Sequence, residues 1–134
     1  MSSRKNILKS AKRFEREEAR FLLQCDGPPE HPYDDLITST GRTGDIYRLG
    51  PDSISAHYAA QVKAVTRSAK DPGHRIKRSD LKKIQAEAKK LGKEWLYIVK
   101  FANLEAGHMI SRSRHRELLE KERKLASLET LENL

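Results

Sequence analysis

The stretch from Ile54 to Phe101 constrains the fold most, because its hydrophobic period changes twice within 48 residues. Residues 54–65 alternate as a strand does, with Gln61 and Lys63 two apart and so on one face. Leu81, Ile84, Ala88 and Leu91 then recur at helical spacing, and Gly92 follows as a stop. Trp95 to Phe101 is a short apolar strand. Strand, helix and strand in that order form a βαβ-like unit, so the two strands are expected to be parallel with a right-handed crossover.

The flanks add to this unit. From Asn6 to Gln24, Ile7, Leu8, Ala11, Phe14, Ala19, Phe21 and Leu22 fall on one helical arc, with Lys12, Arg13, Arg16, Glu17 and Arg20 mostly opposite. Glu15 and Glu18 lie inside the apolar arc, where an unpaired charge is costly to bury. Asp26 to Pro32, with three prolines and a glycine, is a loop. Short strands are expected at Asp35–Ser39 and Asp45–Leu49, separated by Gly41 and Gly44, and Gly50-Pro51-Asp52-Ser53 is a turn. Ser79 is expected to cap the helix that follows, with Asp80 in its first turn. A turn near Asn103 and Gly107 leads to an edge strand at Met109-Ile110. From about Ser113 the chain is helical again, with Leu118, Leu119, Leu125, Leu128 and Leu131 as its apolar positions. The expected fold class is α/β: a small mixed central sheet flanked by helices over residues 1–112, with a helical C-terminal extension over 113–134.

The 134 residues suit one compact domain, and no internal repeat is present. The net charge is +8, and residues 116–134 hold four basic and five acidic side chains, so the rest of the chain carries the whole excess. A basic body with a balanced tail suits a polyanion such as nucleic acid. An aromatic content of 6% does not provide the stacking platform of single-stranded RNA binders. Cys25 is the only cysteine, which excludes an intramolecular disulfide, and its place at a helix end suggests a small core residue. The polar N-terminus and the lack of any membrane-length apolar run point to a cytoplasmic protein with no membrane partner. His57, His74, His108 and His115 show no metal-ligand spacing.

Four residues could carry phosphodiester hydrolysis: Glu15, Asp45, Gln61 and Lys63. That reaction needs a hard divalent cation held by oxygen ligands, an activated water and positive charge against the transition state. Asp45 at a glycine-marked strand start, Gln61 on a neighbouring strand and Lys63 on the same face as Gln61 have that chemistry. Each also has a plain reading: Glu15 as a helix carboxylate paired with a lysine, Asp45 as a turn residue, Lys63 as a strand-edge charge. Residues 66–78 form a basic loop with Arg67, Lys70, His74, Arg75, Lys77 and Arg78, either solvated or in contact with DNA.

Taken in order, four segments resemble a known family. They are Lys9-Ser10-Ala11-Lys12-Arg13-Phe14-Glu15-Arg16-Glu17, Ser39-Thr40-Gly41-Arg42-Thr43-Gly44-Asp45-Ile46, Gln61-Val62-Lys63-Ala64 and Val99-Lys100-Phe101. Over about residues 9–110 the chain resembles the archaeal-type Holliday junction resolvases, also found in phages and viruses, of the PD-(D/E)xK nuclease superfamily. The resemblance implies a restriction-endonuclease-like core and a homodimer that cuts opposing strands of a four-way DNA junction with Mg²⁺, for which Mn²⁺ substitutes. It places Glu15, Asp45 and Gln61 at the metal and makes Lys63 the catalytic lysine. Ser39 or Thr40 would be the small hydroxyl residue near the scissile phosphate. DNA contacts are expected at Ser39, Thr40, Arg42, Arg67, Lys70, Arg75, Lys77 and Arg78. A phage-encoded form would act in the host cytoplasm. Gln61 stands where the family usually has Glu, which removes one negative charge from the site. The alternatives are another endonuclease of the superfamily, of restriction or repair type, and a catalytically silent DNA-binding protein.

Overall fold

The computed structural model describes residues 4–30, 37–39, 46–48, 51–65 and 70–133. The first helix, α1 (Arg4–Cys25), buries Phe14 and Leu22, two turns apart on one side. It ends where Asp26 N–H and Gly27 N–H bond to the carbonyls of Leu22 and Leu23. Gly27 takes φ +89°, a conformation that favours glycine, and Pro28 and Pro29 cannot extend the helix. Phe21, expected on the buried arc, is 47% exposed and instead meets the His108 ring edge-on. Cys25 is likewise exposed rather than in the core.

Strands β1 (Ile37–Ser39) and β2 (Ile46–Arg48) pair antiparallel as a separate two-stranded sheet. The main sheet has the order β3-β4-β5-β6, formed by β3 (Ser53–Ile54), β4 (Tyr58–Val65), β5 (Glu94–Phe101) and β6 (Gly107–Ile110). Its central pair, β4 and β5, is parallel, from Tyr58 opposite Glu94 to Val65 opposite Phe101, as the βαβ reading requires. The outer strands are antiparallel, so the sheet is mixed and the class is α/β.

The single strand expected over Ile54–Val65 is instead a hairpin, broken at Ser55-Ala56-His57. The break is held from a distance. Asp26 accepts hydrogen bonds from the Ser55 hydroxyl (2.6 Å) and the His57 amide (2.7 Å), while Lys93 Nζ donates to the carbonyls of Ser55 and Ala56, both at 2.8 Å. A turn tied down by side chains some thirty residues away leaves no local sequence signal.

Both faces of the sheet are covered. Ala60, Val62, Leu96 and Ile98 pack against Leu22 of α1, with Tyr58, Ala106 and Ile110 at the margin. On the other face Ala59 packs against Ile84 and Ala88 of α2 (Arg78–Leu91), flanked by Leu91 and Trp95. Ala59 and Ala60 are both fully buried, and their small side chains let a helix approach from each side. Helix α2 starts one residue before the expected Ser79 cap. Lys77, extended at φ −84° and ψ 134°, is the cap residue and makes no side-chain bond, while its carbonyl accepts from the amides of Asp80 and Leu81. Gly92 ends the helix in the left-handed conformation at φ +67°.

Helix α3 (Arg112–Glu132) is capped by Ser111, whose hydroxyl accepts from the Arg114 amide. Arg114 ties its first turn to the body, donating from Nε to the Tyr58 hydroxyl (2.9 Å) and lying over the Tyr58 ring. Beyond that turn α3 buries no residue, and its five leucines are 36–65% exposed. Among the described residues no helix is long and apolar enough to cross a membrane.

Candidate functional site

Alternation along β4 puts Val62 toward α1 and Gln61 and Lys63 toward α2. Lys63 Nζ lies 4.0 Å from Asp80 Oδ2 in the first turn of α2, and both side chains are about one-third exposed. Gln61 stands in register with Tyr97 on β5. Tyr97 is fully buried, yet its hydroxyl is 2.7 Å from His74 Nε2, and the two rings stack with centroids 5.9 Å apart. Burial pushes the Tyr97 hydroxyl above its ordinary pKa, and nearby Asp80 adds to the rise. The segment approaching α2 is thus anchored beside the Gln61–Lys63 face, and its cations Lys70, Arg75, Lys77 and Arg78 are all exposed.

Two more carboxyl groups border this face. β3 is too short to cover the second half of β4, and Asp52 completes the edge by accepting from the Val62 amide at 2.8 Å. Glu87 of α2 turns inward, and one of its carboxyl oxygens is buried with no hydrogen-bond partner among the described residues. Burial raises its pKa, Lys83 opposes the rise and Asp52 adds to it.

Of the residues expected at the site, Gln61 and Lys63 come together. Glu15 is half-buried on α1, the helix over the opposite face of the sheet. Ser39 is in β1, in register with Ile46. Asp45, Thr40, Arg42 and Arg67 lie outside the described residues. Among those described, no group of three His, Cys, Asp or Glu side chains converges to hold a metal ion. Gln61 brings one neutral oxygen donor, while Asp80 faces Lys63 and Asp52 holds the Val62 amide. This set of described residues alone does not fit the near-octahedral oxygen shell of Mg²⁺.

From the sequence, Tyr97 has no role, Asp80 is only the acid in the first turn of its helix and His74 only a member of the basic loop. Tyr97 carried a usable signal: a tyrosine inside the run Trp95 to Val99 must bury its hydroxyl, and a buried hydroxyl needs a partner.

A second polar cluster sits at the other end of β4. Asp26 Oδ1 is 2.6 Å from His57 Nδ1, and Asp26 Oδ2 accepts from Ser55 and from the His57 amide. Burial would raise the Asp26 pKa, but the Ser55 hydroxyl and the His57 amide and ring outweigh it and hold the carboxyl below its ordinary value. The trio is not arranged for nucleophilic catalysis. Ser55 is fully buried and donates to the carboxylate rather than to the imidazole. The cluster joins the end of α1, the β3–β4 turn and Lys93. Glu18, one of the two inward carboxylates of α1, finds its partner in His108 of β6 at 3.2 Å.

No family model, no curated protein and no solved structure matches the chain.

Proposed function

We propose that the protein is a metal-dependent endonuclease acting on branched DNA, with the mixed sheet as a restriction-endonuclease-like core. One observation carries the reading. Gln61 and Lys63 share the α2 side of β4, and the cation-bearing segment from Lys70 to Arg78 is anchored beside that face through His74 and Tyr97. Lys63 would set its charge against the phosphoryl oxygens as negative charge develops on them. Asp45 and Gln61 would hold Mg²⁺ or Mn²⁺, which when bound supplies Lewis acidity and an activated water, whereas Glu15 sits on the helix over the opposite face of the sheet and is left out of the ligand set. Lys70, Arg75, Lys77 and Arg78, together with Ser39, Thr40, Arg42 and Arg67, would hold the phosphate backbone. Paired cuts across a four-way junction call for two such sites, and a twofold homodimer is the simplest assembly that provides them.

The test is cleavage of a synthetic four-way junction and of a linear duplex, each with and without Mg²⁺. Cleavage of the junction that needs Mg²⁺ and disappears in Lys63→Ala is the expected result. Tight junction binding without nicking under any divalent cation would instead favour a silent DNA-binding protein. The neutral Gln61, which removes one negative charge from the proposed metal site, suits that second reading.

A further inference from the structure

The charged residues of α2 are segregated in a way that neither other helix shares. Arg78, Lys82, Lys83, Lys89 and Lys90 are all exposed, while its two acids, Asp80 and Glu87, turn inward to Lys63 and to the buried side near Asp52. On α1 and α3 acids and bases mix on the outer surface, with ion pairs Arg13–Glu17 and Arg114–Glu117 and the run Glu120 to Lys124. At 100° per residue Arg78, Lys82 and Lys89 fall within about 40° of one another, with Lys83 and Lys90 about 100° further round. Among the described residues none of Arg78, Lys82, Lys89 and Lys90 has an ion-pair partner within 4.0 Å. Arg78 and Lys82, four apart, repel each other, so the arrangement weakens the isolated helix.

From this geometry we infer that the outer face of α2, through Lys82, Lys89 and Lys90, is a docking strip for the phosphate backbone of a nucleic-acid duplex that continues the 70–78 segment from their shared residue Arg78. The inference rests on the nucleic-acid reading above and extends it to the helix. From Arg78 to Lys89 the strip is about 16 Å long at 1.5 Å per residue. That length spans about five base-pair rises of about 3.4 Å along a duplex axis, enough to bring the lysines against a few phosphates. Nothing large and apolar is exposed on this face, only Ser79, Gln85 and Ala86 between the cations. A helix that inserts into a lipid surface needs an apolar counterpart to its basic side, and here that side is already packed on the sheet.

The test compares three multiple variants with the parent by titration of a 30-base-pair duplex and a four-way junction over a range of salt. The first is Lys82→Gln, Lys89→Gln, Lys90→Gln. The second removes the same charge from α3 as Arg112→Gln, Lys121→Gln, Lys124→Gln. The third, Arg75→Ala with Lys77→Ala, reports on the neighbouring segment. These are exposed positions, and circular dichroism checks that each variant is folded. The α2 variant is expected to bind more weakly and to lower the slope of log affinity against log salt by about two to three, at ~0.9 per phosphate contact. The α3 variant is expected to leave the slope unchanged. Equal losses in both would mean that only net charge matters and would overturn the strip. An unchanged α2 variant beside a weakened 75/77 variant would also overturn it, while leaving the proposed function standing. If the parent binds neither DNA, the proposed function fails and the strip with it. Binding to vesicles of phosphatidylserine and phosphatidylcholine without binding to duplex would assign α2 to a membrane surface and overturn it too.

Discussion

Replacing Asp26 with Ala tests the clamp that sets β4 against α1. The substitution removes the acceptor of three hydrogen bonds, from Ser55 Oγ, the His57 amide and His57 Nδ1, at 2.6–2.7 Å. The three do not count equally. The Ser55 hydroxyl is fully buried, and losing its acceptor costs about 1–3 kcal/mol. The His57 side chain is 65% exposed, so its ionic contact contributes at most about 1 kcal/mol. The His57 amide, bonded to a charged oxygen, lies between these. Removing a half-buried carboxylate also relieves some desolvation, which offsets part of the loss. Asp26→Ala is therefore expected to lose about 3 kcal/mol, and Asp26→Asn, which keeps one acceptor, about 1–2 kcal/mol. Urea unfolding followed by Trp95 fluorescence at pH 7 measures both. The pH dependence supplies a second check. Because the folded carboxyl sits below its ordinary pKa, its contribution is complete above the unfolded value of about 3.9 and is lost as pH falls through the lower folded value. The Asn deficit should therefore shrink in acid. A deficit for Asp26→Ala below about 0.5 kcal/mol at pH 7, or an Asn deficit as large in acid as at neutrality, would refute the reasoning.

Three further outcomes are expected. Ile84→Ala, at a site 1% exposed between Ala59 and Ala88, should lower stability by about 3 kcal/mol in the same urea assay, because the alanines around it cannot fill the cavity. Tyr97→Phe frees His74 and should speed tryptic cleavage after Arg75, Lys77 and Arg78 several-fold while costing only about 1 kcal/mol overall. Gln61→Glu should lower the Mg²⁺ concentration for half-maximal cleavage, since a charge beside a divalent cation is poorly screened; an unchanged metal dependence would remove Gln61 from the metal.

What could be read from the sequence was local. The helical spacing of Leu81, Ile84, Ala88 and Leu91, the stop at Gly92 and the apolar run Trp95 to Phe101 each depend on neighbours in the chain, and they defined the βαβ unit. Two-residue alternation likewise put Gln61 and Lys63 on one face. What could not be read was set by tertiary contacts. The break at Ser55-Ala56-His57 is imposed by Asp26 and Lys93, and strand propensity alone carries 54–65 through as one strand. Ser79 looked like a cap, but the cap residue is Lys77, extended and without a side-chain bond, and the chain is already helical at Arg78. Phe21 matched the apolar period of α1, yet it stays largely exposed, with its ring edge-on to His108 of the edge strand β6. The inward turn of Asp80 and Glu87 depends on which side of α2 meets the sheet, and that choice is made by Ile84 and Ala88.

The exposure of α3 bears on how this protein melts. A 21-residue helix that buries no side chain is held by its own backbone bonds, its Ser111 cap and the Arg114–Tyr58 contact. Most helical stability in proteins comes from tertiary packing of one face, which α3 lacks beyond its first turn. Its amides should therefore exchange with solvent through local fraying, while those of β4 and β5 wait for global opening. Helical ellipticity then sums a shallow loss from α3 and a cooperative loss from the body. Trp95, the single tryptophan, is packed beside Ile84 and Ala88 and follows the second process alone. The two curves will not superimpose, and a two-state analysis belongs to the fluorescence curve.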